Sequence, residues 1–277
     1  MKNAQLTAVA KFRALHESGC FVLPNPWDVG TAIYSEHLGF KALATTSAGF
    51  AFSRGRPDGG VSLDEMLRHI REIATATPLP VNADFLNGFA DEPEAVATNT
   101  RLCIAQGVAG LSIEDNTGNS AAALYEKNPA SERIRAARRA INASGIPVVL
   151  TGRCEAWLVG SPDPLRVALE RLTSYAEAGA DCLYAPGVQE PNEIEQIVNA
   201  VAPKPINVLV SGFNCQLTVS QLADLGVRRI SVGSGLALAA WGAFLRSAQI
   251  IKKDGSFSLL AQNAASAELN ELFRGKS

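Results

Sequence analysis

Ala178-Gly-Ala-Asp-Cys-Leu-Tyr-Ala185 brings a helix end and a strand start together in one short stretch. The segment before it, Pro164 to Ala178, puts Leu165, Ala168, Leu169 and Leu172 on one helical face and Arg166, Glu170 and Arg171 on the other. Gly179 then stands where a helix C-cap calls for left-handed backbone, and Asp181 to Ala185 reads as a short buried strand. The phrase recurs in Glu36-His-Leu-Gly-Phe-Lys41, Ala105-Gln-Gly-Val-Ala109 and Asp224-Leu-Gly-Val-Arg228. A helix, a glycine stop and a strand, repeating at about 30 residues, make a βα repeat and not a tandem solenoid.

Strand-like runs occur at Cys20 to Pro24, Lys41 to Thr46, Pro80 to Asp84, Gly110 to Glu114, Pro147 to Thr151, Asp181 to Ala185, Pro205 to Val210 and Arg229 to Gly233. These eight runs in 277 residues, with helical spacing between them, predict an α/β fold: a (β/α)8 TIM barrel forming one domain over residues 1–277. A doubly wound sheet would more often show a glycine fingerprint after strand one, and Asn25-Pro-Trp-Asp-Val-Gly30 has none. Two helices are expected after strand eight, Leu236 to Ile251 and Leu259 to Phe273, with Lys252-Lys-Asp-Gly-Ser256 as the turn. A barrel needs only one of them. The extra amphipathic helix wants a second surface, on its own barrel or on a neighbouring subunit.

Hydrophobic residues are 47% of the chain and mean hydropathy is +0.08, which permits a large core and argues against disorder. A net charge of −2 leaves no basic field for nucleic acid. Met1 to Phe12 lacks the apolar centre of a signal peptide, and no apolar run reaches the roughly 18 residues of a membrane span. Cys20, Cys103, Cys154, Cys182 and Cys215 are scattered without a CxxC pair, as expected for reduced thiols in a cytoplasm.

Active sites of such barrels lie at the carboxyl ends of the strands. Three strands end abruptly on polar groups: Pro80-Val-Asn-Ala-Asp84, Leu111-Ser-Ile-Glu-Asp115 and Val149-Leu-Thr-Gly-Arg153. The rest of the rim is Asn25, Trp27 and Asp28; Thr45, Thr46, Ser47 and Gly49, with Asp58 in the loop beyond; Asn116; Glu155; Tyr184; Asn207 and Ser211; and Gly233, Ser234 and Gly235. His16, His37 and His69 fall in helical segments and no lysine ends a strand, which disfavours a histidine base, a zinc site or a Schiff-base aldolase. Carboxylates with hydroxyls and an amide suit a hard cation such as Mg²⁺. Singly, Asp84, Glu114 or Asp58 reads as readily as a helix cap, Arg153 as a structural ion pair and Trp27 as packing. Jointly, acidic strand ends facing one arginine point to a site for a small anionic ligand and a metal.

Together, Leu23-Pro-Asn-Pro-Trp-Asp28, Thr45-Thr-Ser-Ala-Gly-Phe-Ala51, Arg56-Pro-Asp-Gly59, Pro80-Val-Asn-Ala-Asp84, Ile113-Glu-Asp115 and Thr151-Gly-Arg153 form a specific pattern. In these phrases the chain resembles the isocitrate lyase and phosphoenolpyruvate mutase superfamily from about Phe12 to Phe273. The resemblance implies a (β/α)8 barrel whose subunits exchange a helix in a homodimer or homotetramer, and a Mg²⁺ (or Mn²⁺) enzyme of small 2-oxo acids. It implies that Thr46, Ser47 and Ala48 hold the oxo-acid carboxylate and that Asp84, with Asn82 in the neighbouring metal position, binds the metal. It further implies that Asp58 and Glu114 support the metal through water while Arg153 clamps the substrate. Trp27, Asn207 and Ser211 complete the expected substrate-binding set.

Departures narrow the activity. Asn82 stands where the family usually has a first aspartate. The loop Asp115-Asn-Thr-Gly-Asn-Ser-Ala-Ala-Ala-Leu-Tyr-Glu-Lys127 lacks the Lys-Lys-Cys-Gly-His type of stretch that gives isocitrate lyases their cysteine acid/base. Leu209-Val-Ser-Gly212 replaces an Asn-x-Thr-Glu phrase. The expectation is a Mg²⁺-dependent lyase that cleaves a C–C bond of a small 2-oxo acid or 2-hydroxy diacid through a pyruvate-type enolate. Oxaloacetate-type decarboxylation is the simplest case, because loss of CO₂ needs no cysteine acid; methylisocitrate-type cleavage is another. One alternative is phosphoenolpyruvate or phosphonopyruvate mutase or hydrolase chemistry, which would want a basic side chain in the strand-four loop, where only Lys127 stands. The other is a non-catalytic oxo-acid binder.

Overall fold

A computed structural model describes residues 2–212 and 217–274; Cys215 lies outside the described residues. In chain order the elements begin with α1 (Lys2–Leu15), β1 (Phe21–Leu23), α2 (Val29–His37), β2 (Leu43–Ala44), α3 (Ser47–Ser53), α4 (Leu63–Ala76) and β3 (Val81–Asp84). They continue with α5 (Pro93–Ile104), β4 (Gly110–Glu114), α6 (Lys127–Ser144), β5 (Val149–Arg153), α7 (Pro164–Glu177) and β6 (Cys182–Tyr184). The last are α8 (Pro191–Val201), β7 (Ile206–Leu209), α9 (Val219–Asp224), β8 (Arg229–Ser231), α10 (Gly235–Asp254) and α11 (Ser266–Arg274).

The strands pair in parallel in the order β1-β8-β7-β6-β5-β4-β3-β2. At the remaining seam, the Ala44 N–H donates to the Pro24 carbonyl at 3.0 Å and the Asn25 side-chain amide donates to the Thr45 carbonyl at 2.8 Å. The eight expected strands thus form a nearly closed TIM barrel with helices outside. Gly39, Gly107, Gly179 and Gly226, the glycines of the recurring phrase, have φ of 83°, 97°, 104° and 88°, the left-handed backbone that a helix stop requires.

Two strand limits differ from expectation in ways that matter. Only Leu43 and Ala44 of the second run join the ladder, because Thr46 leaves it to cap α3, its Oγ1 accepting the Gly49 N–H. The fifth strand continues to Arg153, in register with Glu114 on one side and Tyr184 on the other. That register lifts the guanidinium to the rim.

Side chains alternate along each strand. Asn82 and Asp84, Ser112 and Glu114, Thr151 and Arg153, and Arg229 and Ser231 therefore share the inward face. Leu111, Ile113, Leu150, Leu183, Val208 and Ile230 lie on the other face, in the buried layer between sheet and helices. α1 plugs the bottom. Phe12 is fully buried, and His16, one residue past α1, packs edge-on against Phe12 and Phe21 at ring separations of 4.7 and 5.1 Å. Gly110 makes room for the plug, since a Cβ there would lie 2.7 Å from the Phe12 ring.

α11 lies against α2, where a Cβ on Gly30 would be 3.6 Å from the Phe273 ring. The chain's own barrel therefore meets part of the extra helix's apolar face, although no residue of α11 is buried. α10 is the more open element: Ala237 is its one fully buried residue. No described helix is long and apolar enough to cross a membrane.

Candidate active site

A cavity of about 260 Å³ opens at the carboxyl ends of the strands. Asp84 ends β3 on its wall. Its Oδ2 accepts from the Ser47 N–H at 2.8 Å and from the Ser47 hydroxyl at 2.7 Å, and its own N–H donates to Thr45 Oγ1 at 2.9 Å. Arg153 ends β5, and its Nη1 lies 3.2 Å from both Asp84 Oδ1 and Glu114 Oε2. Its Nε donates to Glu155 Oε1, and its guanidinium lies over the Tyr184 ring, 5.2 Å from the centroid.

Three carboxylates thus converge on one largely buried guanidinium. Burial pushes Glu114 well above the usual carboxylate range, Arg153 opposes the rise, and Glu155 and Asp84 add to it. Glu155 is raised for the same first reason. Burial alone would lower Arg153, but the Glu114 and Glu155 carboxylates more than reverse it and fix the positive charge. Asp58 enters from the loop before α4; partial desolvation and then the nearby Asp84 carboxylate push it upward. Tyr184, buried under Arg153, is pushed up to about 12 and so stays protonated at neutral pH.

Of the expected site residues, Thr46, Ser47, Ala48, Asp58, Asn82, Asp84, Arg153, Asn207 and Ser211 line this cavity together. Glu114 stands behind Arg153 and outside the lining. Trp27 is not brought to the cavity; it faces an apolar hollow with Ala240, Trp241 and Phe244 of α10. Ser47 commits both of its donors to Asp84. Asn207 belongs to the barrel interior, its Nδ2 donating to Ser231 Oγ at 2.8 Å and its Oδ1 accepting from Arg229 Nε at 3.0 Å. Asp115, also on the expected rim, turns outward and accepts from the Glu155 N–H, the Tyr175 hydroxyl and Arg171.

Glu155 and Tyr184 stood on the expected rim without a role. Arg229 enters the sequence pattern only as the start of a strand. The signal was present in Arg229-Ile-Ser231, where alternation sets an arginine and a serine on the inner face of a buried strand.

The loop after β3 is held in an unusual shape. Leu86 and Phe89 adopt φ of 49° and 55°, and buried Arg133 donates to the carbonyls of Asn87, Ala90 and Asp91. Tyr125, from the loop after β4, lies under the Arg133 guanidinium at 4.0 Å, donates to Asp91 and accepts from Asn87. The two rim loops are therefore tied to each other.

For a metal, the donor set is oxygen only. Asn82 Oδ1 is buried without a hydrogen-bond partner, and Glu114 Oε2 faces Arg153 as an ion pair without a hydrogen bond. Among the described residues no group of three His, Cys, Asp or Glu side chains is placed to hold an ion. These residues fit a hard cation of the Mg²⁺ kind, held by Asp84 and otherwise by water and ligand oxygens, and not a closed protein cage.

The family model for phosphoenolpyruvate phosphomutase matches residues 12–252. A solved structure from Burkholderia cenocepacia J2315, described only as a lyase or mutase, superposes with a TM-score of 0.94 at 45% identity, covering 98% of this chain and 97% of that one. The 2-methylisocitrate lyase of Escherichia coli K12 is 32% identical over 206 residues, 71% of this chain and 68% of its own. The oxaloacetate decarboxylase of Rhodopseudomonas palustris BisA53 is 28% identical over 233 residues, 80% and 76%. With the barrel and its rim, these matches make the chain an enzyme belonging to the phosphoenolpyruvate mutase and isocitrate lyase superfamily of lyases and mutases.

Proposed function

We propose that the protein is a Mg²⁺-dependent (or Mn²⁺-dependent) lyase that cleaves a C–C bond of a small 2-oxo acid or 2-hydroxy diacid, with oxaloacetate-type decarboxylation its simplest form. The carrying observation is Arg153, fixed at the rim between Asp84 and Glu114 over a polar cavity. Cleavage beside a 2-oxo group leaves an enolate, and catalysis consists in stabilising the oxygen where that charge develops. A bound Mg²⁺ would polarise the same oxygen as a Lewis acid. Arg153 supplies a charge that needs no reorganisation, since Glu114 and Glu155 hold its orientation from behind. Thr46 and Ala48, on the cavity wall, would hold the substrate carboxylate, while Ser47 hydrogen-bonds Asp84. Asp58 lines the same cavity from the loop before α4. Tyr184 is a protonated phenol on the cavity wall, able to return a proton to the enolate carbon.

Kinship with a methylisocitrate lyase and an oxaloacetate decarboxylase supports C–C cleavage. Lys127, the basic group that phosphoryl chemistry would want, is exposed at the start of α6 and is not part of the cavity wall. We further take the barrel and its carboxyl-terminal extension to act as one domain. Two or four copies would assemble through α10 in the cytoplasm, where the four described free thiols, Cys20, Cys103, Cys154 and Cys182, stay reduced. The test incubates purified protein and Mg²⁺ with oxaloacetate and a panel of 2-oxo and 2-hydroxy diacids, with products followed by mass spectrometry. Pyruvate-type products above the metal-only rate are expected. Unchanged acids throughout would sink the proposal, and oxo-acid binding that survives Asp84→Ala without turnover would favour a binder.

A further inference from the structure

Below Asp84 and Arg153 the cavity continues into the barrel, and its lower wall is polar: Asn82, Ser112, Asn207, Arg229 and Ser231. Barrels of this type ordinarily fill that depth with branched apolar side chains. Arg229 crosses the interior from β8. Its Nε donates to Asn207 Oδ1 and its Nη2 to Thr151 Oγ1, each at 3.0 Å, and its Nη1 approaches His16 Nε2 at 3.3 Å. His16 uses its Nδ1–H on the Phe12 carbonyl at 2.7 Å, so Nε2 presents a lone pair. Burial first, then the Arg229 charge, push this imidazole down to about 3, and it stays neutral.

Each of these hydrogen-bond partners of Arg229 is therefore uncharged. None of the ion pairs among the described residues includes it, although it is 2% exposed. Three of its five N–H groups are used by these partners, which leaves two for something else. A buried cation without a counter-ion is strongly disfavoured. The well thus holds a buried cation with free N–H donors and no anion among the described residues. Its volume of about 260 Å³ falls below the ~300–1,000 Å³ of drug-sized sites and suits a short acid.

We propose that Arg229 is a second cationic pole of the site, which receives the far carboxylate of a short dicarboxylic acid whose other end is held at the Arg153 rim. The proposal rests on the oxo-acid reading of the rim and adds to it the residue that selects diacids over monoacids. The tie of Arg229 to β5, β7 and the α1 plug is the competing structural role.

The test uses ligands that do not react. Calorimetry on the full chain with Mg²⁺ compares succinate with the monoacid oxamate in wild type, Arg229→Met and Arg229→Lys. Wild type is expected to prefer succinate, Arg229→Met to weaken succinate at least tenfold and oxamate less than twofold, and Arg229→Lys to recover most of the difference. Equal weakening of both acids, or no diacid preference in wild type, overturns the proposal. Should Arg229→Met fail to fold, wild type still decides: succinate should shift the ¹⁵N resonance of His16 Nε2 and oxamate should not, and an unmoved resonance overturns it. Because neither readout needs turnover, inactivity toward oxaloacetate would remove the lyase reading and leave this one standing.

Discussion

Arg153 carries the rim because three carboxylates share it and, among the described residues, no other cation pairs with them. A planar fork can meet Asp84, Glu114 and Glu155 at once; an ammonium is a point charge and cannot. Arg153→Lys should keep the charge and lose the geometry, lowering kcat/KM by about 100-fold or more, the scale of losing one oxyanion donor, ~3 kcal/mol. Steady-state kinetics checks it, and a loss below fivefold would place the important contacts elsewhere. Glu114 gives a prediction in pH. Burial raises its pKa well above the ordinary 4.5, so the fold holds the proton more tightly than the unfolded chain does. That contribution to stability is fully present below about pH 4.5 and is lost as pH rises through the raised value. Glu114→Gln, neutral throughout, should flatten the decline on that side in melts run without metal from pH 4.5 to 8. Asp84 and Arg153 were legible in the sequence because a strand that ends in a charge advertises it. Arg229 was legible only through its alternation with Ser231, a weak signal, because an arginine that opens a strand looks by itself the same whether it faces solvent or the barrel interior.

Among the elements, the repeat of helix, glycine and strand was fully legible because it depends on local backbone chemistry. Gly179 must be left-handed wherever its helix goes. What the repeat could not tell was how the barrel closes at the bottom, since α1 precedes the first strand and belongs to no βα unit. Its role comes from packing: Phe12 enters over Gly110, and His16 lies between Phe12, Phe21 and Arg229. The plug should therefore be sensitive to acid. The His16 pKa drops from 6.5 to about 3 on folding, so the unfolded chain takes up a proton before the fold can. Stability from this group is present above pH 6.5 and is lost as pH falls toward 3, at up to about 1.4 kcal/mol per pH unit. His69, lowered to about 4, adds a slope of the same sign. His16→Gln keeps an acceptor for Arg229 without the titration. Its urea midpoint should fall less than that of wild type between pH 6.5 and 4.5; parallel curves would mean that the plug does not sense this proton.

Across the whole molecule the two ends of the chain behave oppositely. α1 is drawn into the barrel, whereas α10 runs from Gly235 to Asp254 with Ala237 as its one fully buried residue. Leu236, Leu238, Trp241, Phe244 and Leu245 are exposed along it, Phe244 by 60%. Sequence reading gave the surplus apolar face to the final helix. In the structure α11 lies against α2 with Leu269 and Phe273 still 37% exposed, and the larger exposed apolar face shifts one helix earlier. That shift follows from order along the chain: the turn after Gly255 folds α11 back onto its own barrel, and α10 is left projecting. Each large apolar side chain moved from water to an interface contributes on the order of 1.5–3 kcal/mol, so Leu238, Trp241, Phe244 and Leu245 together are enough to hold two copies after the entropy of association is met, while Leu236 lines the hollow toward α2 and α11. Wild type should therefore sediment as a dimer or tetramer at micromolar concentration. Phe244→Glu puts a charge in the middle of the row, where burial would leave it unpaired. It should shift the protein to monomer while changing the monomer's own fold little, because Phe244 is 60% exposed and its contacts within the chain are the Trp241 ring and the shallow hollow beside Trp27. Sedimentation velocity with circular dichroism separates the two effects. A wild type that is already monomeric would end the assembly reading, and a variant that unfolds instead of dissociating would mean that α10 is held by its own barrel after all.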